Sequence, residues 1–355
     1  MKLFVPGRLC LFGEHSDWAG SYRSRNKSLC QGFTLLTGTN QGLYADVKPY
    51  SKQLILRTCI DGREQQILEM PMNRDMLLTL AQSGSLFSYA AGVAHQILTH
   101  FQVDGLEINN YYTDLPIQKG LSSSAAICVL VARAFNRVYD LKLTTRGEME
   151  FAYLGEVTTP SKCGRMDQAC AYGNVPIAMS FDGSFIDVME LKVSQNLFLV
   201  IVDLGASKNT QEILAKLNEC YPIPENKVQE GVQKFLGEIS HQITNRAVVA
   251  LQKGDAEEIG RLMQESQLEF DKYLIPACPQ ELTAPVLHHL LNYEPIKPYI
   301  WGGKGVGSQG DGTAQFIAKD EISQQKVIEI IEREFPQMQC LKLKIEVNDL
   351  CDRKV

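Results

Sequence analysis

The segment at residues 120–132 constrains the fold more than any other part of the sequence. It reads Gly-Leu-Ser-Ser-Ser-Ala-Ala-Ile-Cys-Val-Leu-Val-Ala, a glycine turn that leads directly into an apolar run with strong helix formers at its start. A turn of this kind directs several backbone N–H groups at one point, at the positive end of the helix dipole. We therefore expect a helix whose first turn can bind phosphate.

The three serines of this segment leave two interpretations open. Serine is a preferred N-cap residue, so the run could be a helix start without a ligand. One serine is enough for a cap, whereas three follow Gly-Leu here, and Lys119 adds a positive charge just before them. The sequence therefore favours an anion site, in which the hydroxyl groups act as donors and can ligate a metal ion.

Composition excludes several functional classes. At 355 residues, with 45% hydrophobic and 21% charged residues, the sequence is typical of a globular protein and favours two domains. The formal net charge of -6 argues against nucleic-acid binding, because there is no basic excess to contact phosphates. The ten cysteines include no CxxC pair, which disfavours a zinc site or a disulfide framework and favours a reduced cytoplasm. No apolar run is long enough to predict a membrane span.

Periodicity predicts a mixture of strands and helices. Short apolar runs at residues 3–5 and 9–12 predict two strands on either side of a Pro-Gly-Arg turn. The nearly uninterrupted apolar run at residues 197–203 predicts a central strand. Because strands cluster early and late, we predict an α+β protein with one domain over residues 1–190 and a second over residues 191–355.

A first group of chemically active residues lies near the N-terminus. Four ionisable side chains occur within ten residues, between strand-like segments, and these are Arg8, Glu14, His15 and Asp17. Loops on a rigid scaffold commonly carry binding residues. Exposed turn charges account for many such groups, so a solvated loop is the alternative.

A second group contains Glu156 and Asp167. Carboxylates are common on surfaces, and their spacing of eleven residues is uninformative alone. If the segment between them, which contains Pro160, is a turn linking two helices, both carboxylates could share a site. One would then hold Mg²⁺ and the other could act as a base.

The third group is the glycine-rich segment at residues 302–312, with six glycines in eleven positions. Residues 305–310 formally match GxGxxG, but the sequence after Thr313 looks like a strand rather than the helix that a dinucleotide site requires. Two interpretations remain, a flexible loop or a backbone that approaches another group closely.

Together these segments resemble the GHMP kinase superfamily, the kinases of galactose, homoserine, mevalonate and phosphomevalonate. Gly7-Arg8 and the Gly-Glu-His-Ser-Asp at residues 13–17 are similar to the galactokinase signature, a Gly-Arg followed by Gly-Glu-His-x-Asp. Met166-Asp167-Gln168 resembles the galactokinase motif around its catalytic aspartate. Residues 87–93 resemble the galactokinase helix that precedes the phosphate loop.

The resemblance implies an α+β, two-domain GHMP kinase fold, with a ribosomal-protein-S5-like N-terminal domain and a ferredoxin-like C-terminal domain. It implies ATP-dependent phosphorylation of a monosaccharide at its anomeric hydroxyl. Asp167 would be the catalytic base, and Arg8 would keep it ionised and offset charge on the phosphoryl group. Mg²⁺ would bind Ser124 and Glu156. The sugar would bind Glu14, His15 and Asp17. ATP would bind Lys119, Gly120, Leu121, Ser122, Ser123 and Ser124.

The sequence departs from the galactokinase pattern at several positions. Cys10 and Trp18 stand where galactokinases usually have Asn and Tyr, and the loop at residues 20–31 does not match the galactokinase pattern. Lys304, Ser308 and Gln309 are unusual for the third motif. We therefore expect a relative of galactose, such as a uronic acid, a pentose or a deoxy sugar.

Other readings stay open at this point. The basic residues Arg23, Arg25 and Lys27 could face a substrate carboxylate or lie in a solvated loop. A mevalonate-type small-alcohol kinase and a catalytically silent relative that senses a sugar or binds a partner protein are alternatives. Neither a membrane nor a nucleic acid is expected as a partner, and the protein could be a monomer or a homodimer.

Overall fold

The computed structural model describes residues 1–58, 66–116, 120–161 and 163–348, which form two compact units. The first consists of Met1–Arg8 and Gly38–Asn174, and the second of Leu9–Thr37 and the chain from Val175 onward. These units divide the chain at other positions than the predicted domain boundary at residue 190, which stays a prediction. Helices and strands are mixed in both units, so the α+β class is confirmed.

The sheet of the first unit is built from long early strands. Its strands are β1 (Lys2–Phe12), β2 (Gly32–Tyr50), β3 (Gln53–Thr58), β4 (Gln66–Pro71) and β5 (Gly105–Thr113). Their order is β4-β3-β5-β2, with β3 parallel to β5 and β1 paired to β2. The predicted strands at residues 3–5 and 9–12 are confirmed as strand, but they form one strand rather than two, because β1 is continuous through Pro6. Proline has no N–H to pair, and the next N–H, that of Gly7, donates to Thr39 Oγ1 at 3.0 Å.

The helices of the first unit are α2 (Arg74–Gln82), α3 (Ser88–His100), α4 (Ser123–Tyr139) and α5 (Thr145–Val157), followed by a 3₁₀ turn at Asp167–Tyr172. Most residues of helix α4 are buried, as its apolar sequence requires. Helices α3 and α5 touch through glycine, because a Cβ on Gly92 would overlap the carbonyl oxygen of Gly155. This close approach fixes the position of Glu156, the next residue on α5.

In the described part of the chain, the second unit contains the short helix α1 (Ser16–Ser21), six whole strands and the adjoining parts of β1 and β2. The N-terminal part of β2 pairs with β6 (Ile177–Asp182), which pairs with β7 (Phe185–Glu190). A four-stranded antiparallel sheet has the order β11-β8-β10-β9. Its strands are β8 (Leu197–Asp203), β9 (Ile300–Gly305), β10 (Thr313–Ala318) and β11 (Gln339–Ile345). Strand β8 has a neighbour on each side, which confirms its predicted central position.

Helices of this unit pack against the four-stranded sheet and against one another. They are α6 (Thr210–Asn218), α7 (Lys227–Lys234), α8 (Ser240–Lys253), α9 (Ala256–Leu274), α10 (Pro279–Leu282), α11 (Pro285–Leu291) and α12 (Glu321–Glu334). One core lies between the sheet and α12, where Val200, Phe316 and Ile331 are fully buried. No helix in the described ranges is both long and apolar enough to cross a membrane.

The glycine-rich segment is only partly a loop. Residues 302–305 belong to β9, so the interpretation as a flexible loop was wrong for them. A Cβ on Gly302 would overlap the backbone of Gly260 on α9, and the glycines here allow the strand and helix backbones to touch. Residues 306–312 form the turn from β9 to β10, and the predicted strand after Thr313 is confirmed.

Candidate active site

The serine loop opens helix α4 without a side-chain cap. Ser122 precedes the helix in the left-handed region, at φ 57°, and makes no capping hydrogen bond. The N–H groups of the first helical turn therefore keep no acceptor within the helix. This geometry favours the anion-site interpretation over the simple N-cap. Lys119, predicted to add a charge here, lies outside the described residues.

Asp167 is held by two groups that are distant in sequence. Arg8 Nη2 forms an ion pair with Asp167 Oδ1, and Ser122 Oγ donates to the same oxygen at 2.9 Å. The backbone N–H of Arg8 donates to Leu121 O at 2.9 Å, which joins β1 to the serine loop. Arg8 is buried, whereas a quarter of the Asp167 side chain is exposed. The first and second sequence groups thus meet at one carboxylate.

Glu156 is buried next to this carboxylate with one oxygen unsatisfied. Gln168 Nε2 donates to Glu156 Oε2 at 2.8 Å, whereas Oε1 has no hydrogen-bond partner within the described part of the chain. Burial, together with the negative charge of Asp167, raises the pKa of Glu156 to about 7. Hydrogen bonds from Ser124, Gln168 and Ser161 act in the opposite direction and lower this pKa. A buried carboxylate oxygen rarely lacks a partner, and a cation beside Ser124 would supply one.

The second unit holds the predicted sugar-binding residues. Glu14, His15 and Asp17 are all at most 5% exposed, so the alternative of exposed turn charges was wrong. Gly13 turns the chain inward at φ 87°, and a side chain there would overlap Phe33 O.

Glu14 is paired with a residue that the sequence did not assign. Lys304, on β9, is completely buried and its Nζ forms an ion pair with Glu14 Oε1. The same Nζ donates to Gly305 O at 2.9 Å. Removal of either partner would leave an uncompensated buried charge, which makes this pair a fixed part of the site.

His15 is held as a neutral ring with a defined tautomer. Trp18 Nε1 donates to His15 Nδ1 at 3.1 Å, and an indole N–H can only donate. The proton of His15 must therefore be on Nε2. Burial lowers the pKa of His15 to about 4, and the charges of Lys208 and Lys304 act in the same direction. Trp18, a departure from the galactokinase pattern, thus sets His15 Nε2–H as a donor.

Two other departures have structural roles. Cys10 is fully buried, and its thiol donates to Phe12 O at 3.3 Å. In the segment at residues 20–31, Arg23 Nε pairs with Asp182 Oδ1 at 2.6 Å, and the Arg25 guanidinium lies 5.5 Å from the ring centre of Tyr22. Arg23 is therefore engaged in the fold rather than available to a substrate.

The structure thus brings the predicted residues together in two groups, one in each unit. Arg8, Ser122, Ser124, Glu156 and Asp167 form the first, and Glu14, His15 and Asp17 form the second. Sequence reasoning missed Gln168, although it lies within the Met-Asp-Gln motif, and Lys304, although its unusual position in the third motif was visible. No local signal could have identified Lys208 as a neighbour of His15.

The sequence of this chain is similar to those of known proteins. Residues 88–174 match the family model of the GHMP kinases N terminal domain. A galactokinase from Streptococcus thermophilus is 26% identical over 309 residues, which cover 76% of this chain and 74% of that relative.

Two solved structures share the fold over almost the whole chain. The crystal structure of Lactococcus lactis galactokinase complexed with galactose has a TM-score of 0.69 at 15% identity, and the match covers 98% of this chain and 94% of that one. The structure of L. major mevalonate kinase in complex with R-mevalonate has a TM-score of 0.69 at 18% identity, with coverages of 98% and 96%.

Proposed function

Because the chain belongs to the GHMP kinase superfamily and is an ATP-dependent kinase, we propose that its acceptor is a monosaccharide, phosphorylated at the anomeric hydroxyl. The observation that carries the proposal is the pairing of Asp167 with Arg8 and Ser122 at the start of a phosphate-binding helix. A base, a cation and free backbone donors are the groups that phosphoryl transfer requires, since it depends mainly on positioning and electrostatics.

Helix α4 binds the phosphates of ATP in this mechanism. Its first-turn N–H groups and the hydroxyls of Ser122, Ser123 and Ser124 are donors for phosphate oxygens. Gly120 adopts φ 72° with open space around it, which allows the phosphates to approach the loop backbone. No lysine or arginine is required for this part of the site, although Lys119 would add attraction.

Glu156 and Ser124 fit a Mg²⁺ site. The unpartnered Oε1 of Glu156 is a hard oxygen ligand, and Ser124 lies beside it. The described residues contain no group of three His, Cys, Asp or Glu side chains that could hold a metal alone, so phosphate oxygens and water would complete the shell. When bound, Mg²⁺ would offset negative charge on the phosphates. Glu156 would lose its proton when it binds Mg²⁺, although its raised pKa favours the protonated form.

Asp167 accepts the proton of the attacking hydroxyl. Its contacts with Arg8 and Ser122 both use Oδ1, which orients the carboxylate and leaves Oδ2 as the basic atom. The Arg8 guanidinium beside it stabilises charge that develops on the transferred phosphoryl group. Proton transfer by such a positioned group contributes about 10²- to 10⁴-fold to the rate.

Glu14, His15 and Asp17 bind the hydroxyls of the sugar. Two carboxylates accept hydrogen bonds and the neutral His15 donates one from Nε2, a set that suits a polyol with adjacent hydroxyls. A branched aliphatic acid of the mevalonate type would leave several of these buried groups unpaired. The polar set therefore favours a sugar over a small alcohol.

A coupled ATP assay with a panel of acceptors tests the proposal. The panel contains galactose, a uronic acid, a pentose, a deoxy sugar, mevalonate and homoserine, with Asp167→Asn as the inactive control. One sugar should have a clearly higher kcat/KM than its analogues. A site that hydrogen-bonds a substrate hydroxyl rejects analogues lacking that hydroxyl by a factor of about 10⁴. Turnover of mevalonate or homoserine with every sugar inert would overturn the sugar assignment, and ATP binding without any transfer would indicate a silent relative.

A further inference from the structure

Lys208 lies directly before helix α6, and its side chain crosses the turn between β9 and β10. Its Nζ donates to Gln309 O at 2.9 Å. A Cβ on Gly312 would lie 2.6 Å from Lys208 Cε and 2.7 Å from Nζ, and one on Gly310 would lie 3.5 Å from Lys208 Cβ. The glycines of the third motif therefore leave the space that the lysine occupies.

This ammonium group has no carboxylate partner among the residues that the structure describes. The carboxylate of Glu281 lies nearby in the chain fold, but its Oε2 accepts from the N–H of Asn209 at 2.7 Å. Burial alone lowers the pKa of Lys208 to about 8, so the group stays mostly charged near pH 7. Lys208 is partly exposed rather than fully buried, so its ammonium group can contact a ligand.

A second observation comes from the neighbouring side chains. Gln309 is only 1% exposed, at φ 65°, and neither its Oε1 nor its Nε2 has a hydrogen-bond partner in the described ranges. Lys208 is close enough to His15 to depress the pKa of this ring, which also interacts with the backbone of Ser308. Thr210 Oγ1 and Ser308 Oγ lie 3.2 Å apart beside them. The Gln309 amide therefore offers a donor that no described residue uses, next to the Lys208 ammonium group.

We propose that Lys208, together with the side-chain amide of Gln309, binds an anionic oxygen group of a ligand. Lysine suits this role as a compact point charge, and the neutral amide supplies direction. Two sources carry that chemistry, the terminal phosphate of ATP and an acidic group on the sugar. The proposal rests on the proposed function only for the identity of these ligands.

Isothermal titration of Lys208→Gln separates the two sources. The titrants are ATP, ADP, galacturonate and galactose, with Mg²⁺ present for the nucleotides. If the site takes the terminal phosphate, ATP should bind about 10- to 100-fold more weakly while ADP is unchanged, as for loss of a charge-assisted hydrogen bond. If the site takes the acidic group of the sugar, galacturonate should bind more weakly by a similar factor, and the affinity for galactose should not change.

Two further variants control for charge and for position. Lys216→Gln removes the same charge from an exposed, Glu219-paired position on α6 and should leave all four affinities unchanged. Gly312→Ala keeps the lysine but displaces its ammonium group, and should reproduce the loss seen with Lys208→Gln. The melting temperature of each variant shows whether it is folded.

Two results would overturn the proposal. One is unchanged affinity of folded Lys208→Gln for both ATP and galacturonate, and the other is an equal loss for galacturonate and galactose. A protein that phosphorylates no sugar would refute the proposed function but not this site, because nucleotide binding is measured without turnover.

Discussion

The Asp167 carboxylate is the point at which three segments of the chain meet. Arg8 reaches it from β1, Ser122 from the serine loop, and Glu156 affects it through charge. The contacts from Arg8 and Ser122 each contribute about 1.5–3 kcal/mol, because a charged group takes part. The site is therefore fixed before any substrate binds, and single atoms can be changed without moving it.

Asp167→Asn should abolish turnover while leaving ATP affinity nearly intact. The amide oxygen can still accept from Arg8 and Ser122, so the geometry persists while the base is lost. We expect kcat to fall about 10²- to 10⁴-fold. Steady-state kinetics and nucleotide titration measure the two quantities. A variant that keeps more than a few per cent of the wild-type kcat would remove Asp167 from the role of base.

Glu156→Gln and Ser124→Ala should each raise the Mg²⁺ concentration needed for half-maximal activity, since each weakens or deletes an oxygen ligand. In the wild type this requirement should also fall as pH rises from about 6 to 8, because the proton on Glu156, with its pKa of about 7, competes with the cation. Glu156→Gln should lose that pH dependence.

The matched control for this titration is Glu150→Gln, which alters a half-exposed carboxylate on the same helix that pairs with Arg165. Its Mg²⁺ titration should overlay that of the wild type. If the Mg²⁺ titrations of Glu156→Gln and Ser124→Ala also overlay that of the wild type, the metal assignment is wrong. The serine loop would then bind phosphate through its backbone alone.

Among the structural elements, the pair of helices α3 and α5 positions the site through a glycine contact. Gly92 and Gly155 allow the two backbones to touch, and the residue after Gly155 is the proposed metal ligand. Because a protein interior is close-packed, it has no room for an added methyl group here, and one of the two helices must move. The metal site and the packing of α5 are therefore linked.

Gly92→Ala should destabilise the protein by about 1–3 kcal/mol through overpacking. It should also raise the Mg²⁺ requirement, because α5 carries Glu156 away from Ser124. Urea unfolding and a Mg²⁺ titration measure the two effects. Gly147→Ala, on α5 but facing only the flexible side chain of Leu143 and its own N-cap, is the control and should be nearly neutral. Equal behaviour of the two variants would refute the linkage.

Across the whole molecule, features that depend on neighbouring residues could be predicted from the sequence, whereas features that depend on distant contacts could not. The helix after the serine loop and the central strand β8 follow from residues that are neighbours in sequence, so turn chemistry and hydropathy were sufficient. The ion pair between Glu14 and Lys304 joins residues 290 positions apart, and no pattern within either segment signals it. Likewise, the strand at residues 302–305 depends on its contact with α9, which glycine content alone cannot reveal.

The stability of the whole protein should depend on pH through His15. Its pKa is near 6.5 when unfolded and about 4 when folded, so the unfolded chain binds the proton more readily between these values. The stabilisation that comes from the neutral His15 ring is therefore fully present above about pH 6.5 and is lost as pH falls toward 4. We expect a loss of about 2 kcal/mol from this group between pH 7 and 5.

The measurement is urea unfolding of wild type and His15→Gln at both pH values, with exposed His100→Gln as the control. The contribution of Glu156 has the opposite sign, since its raised pKa gives stability that is lost as pH rises from about 4.5 to 7. The difference between variants isolates His15. If His15→Gln shows the same pH-dependent change as the wild type, the ring is not held neutral by the fold.

The chain passes between its two compact units three times, after Arg8, after Thr37 and after Asn174. A fragment that starts at Val175 would consequently lack Gly32–Leu36, the strand partner of β6, and would present an unpaired sheet edge of the kind that promotes aggregation. It would also lack Glu14 and His15. Neither unit can therefore be exchanged between proteins as one continuous cassette, and recombination at residue 174 would separate Lys304 from the carboxylate that neutralises it.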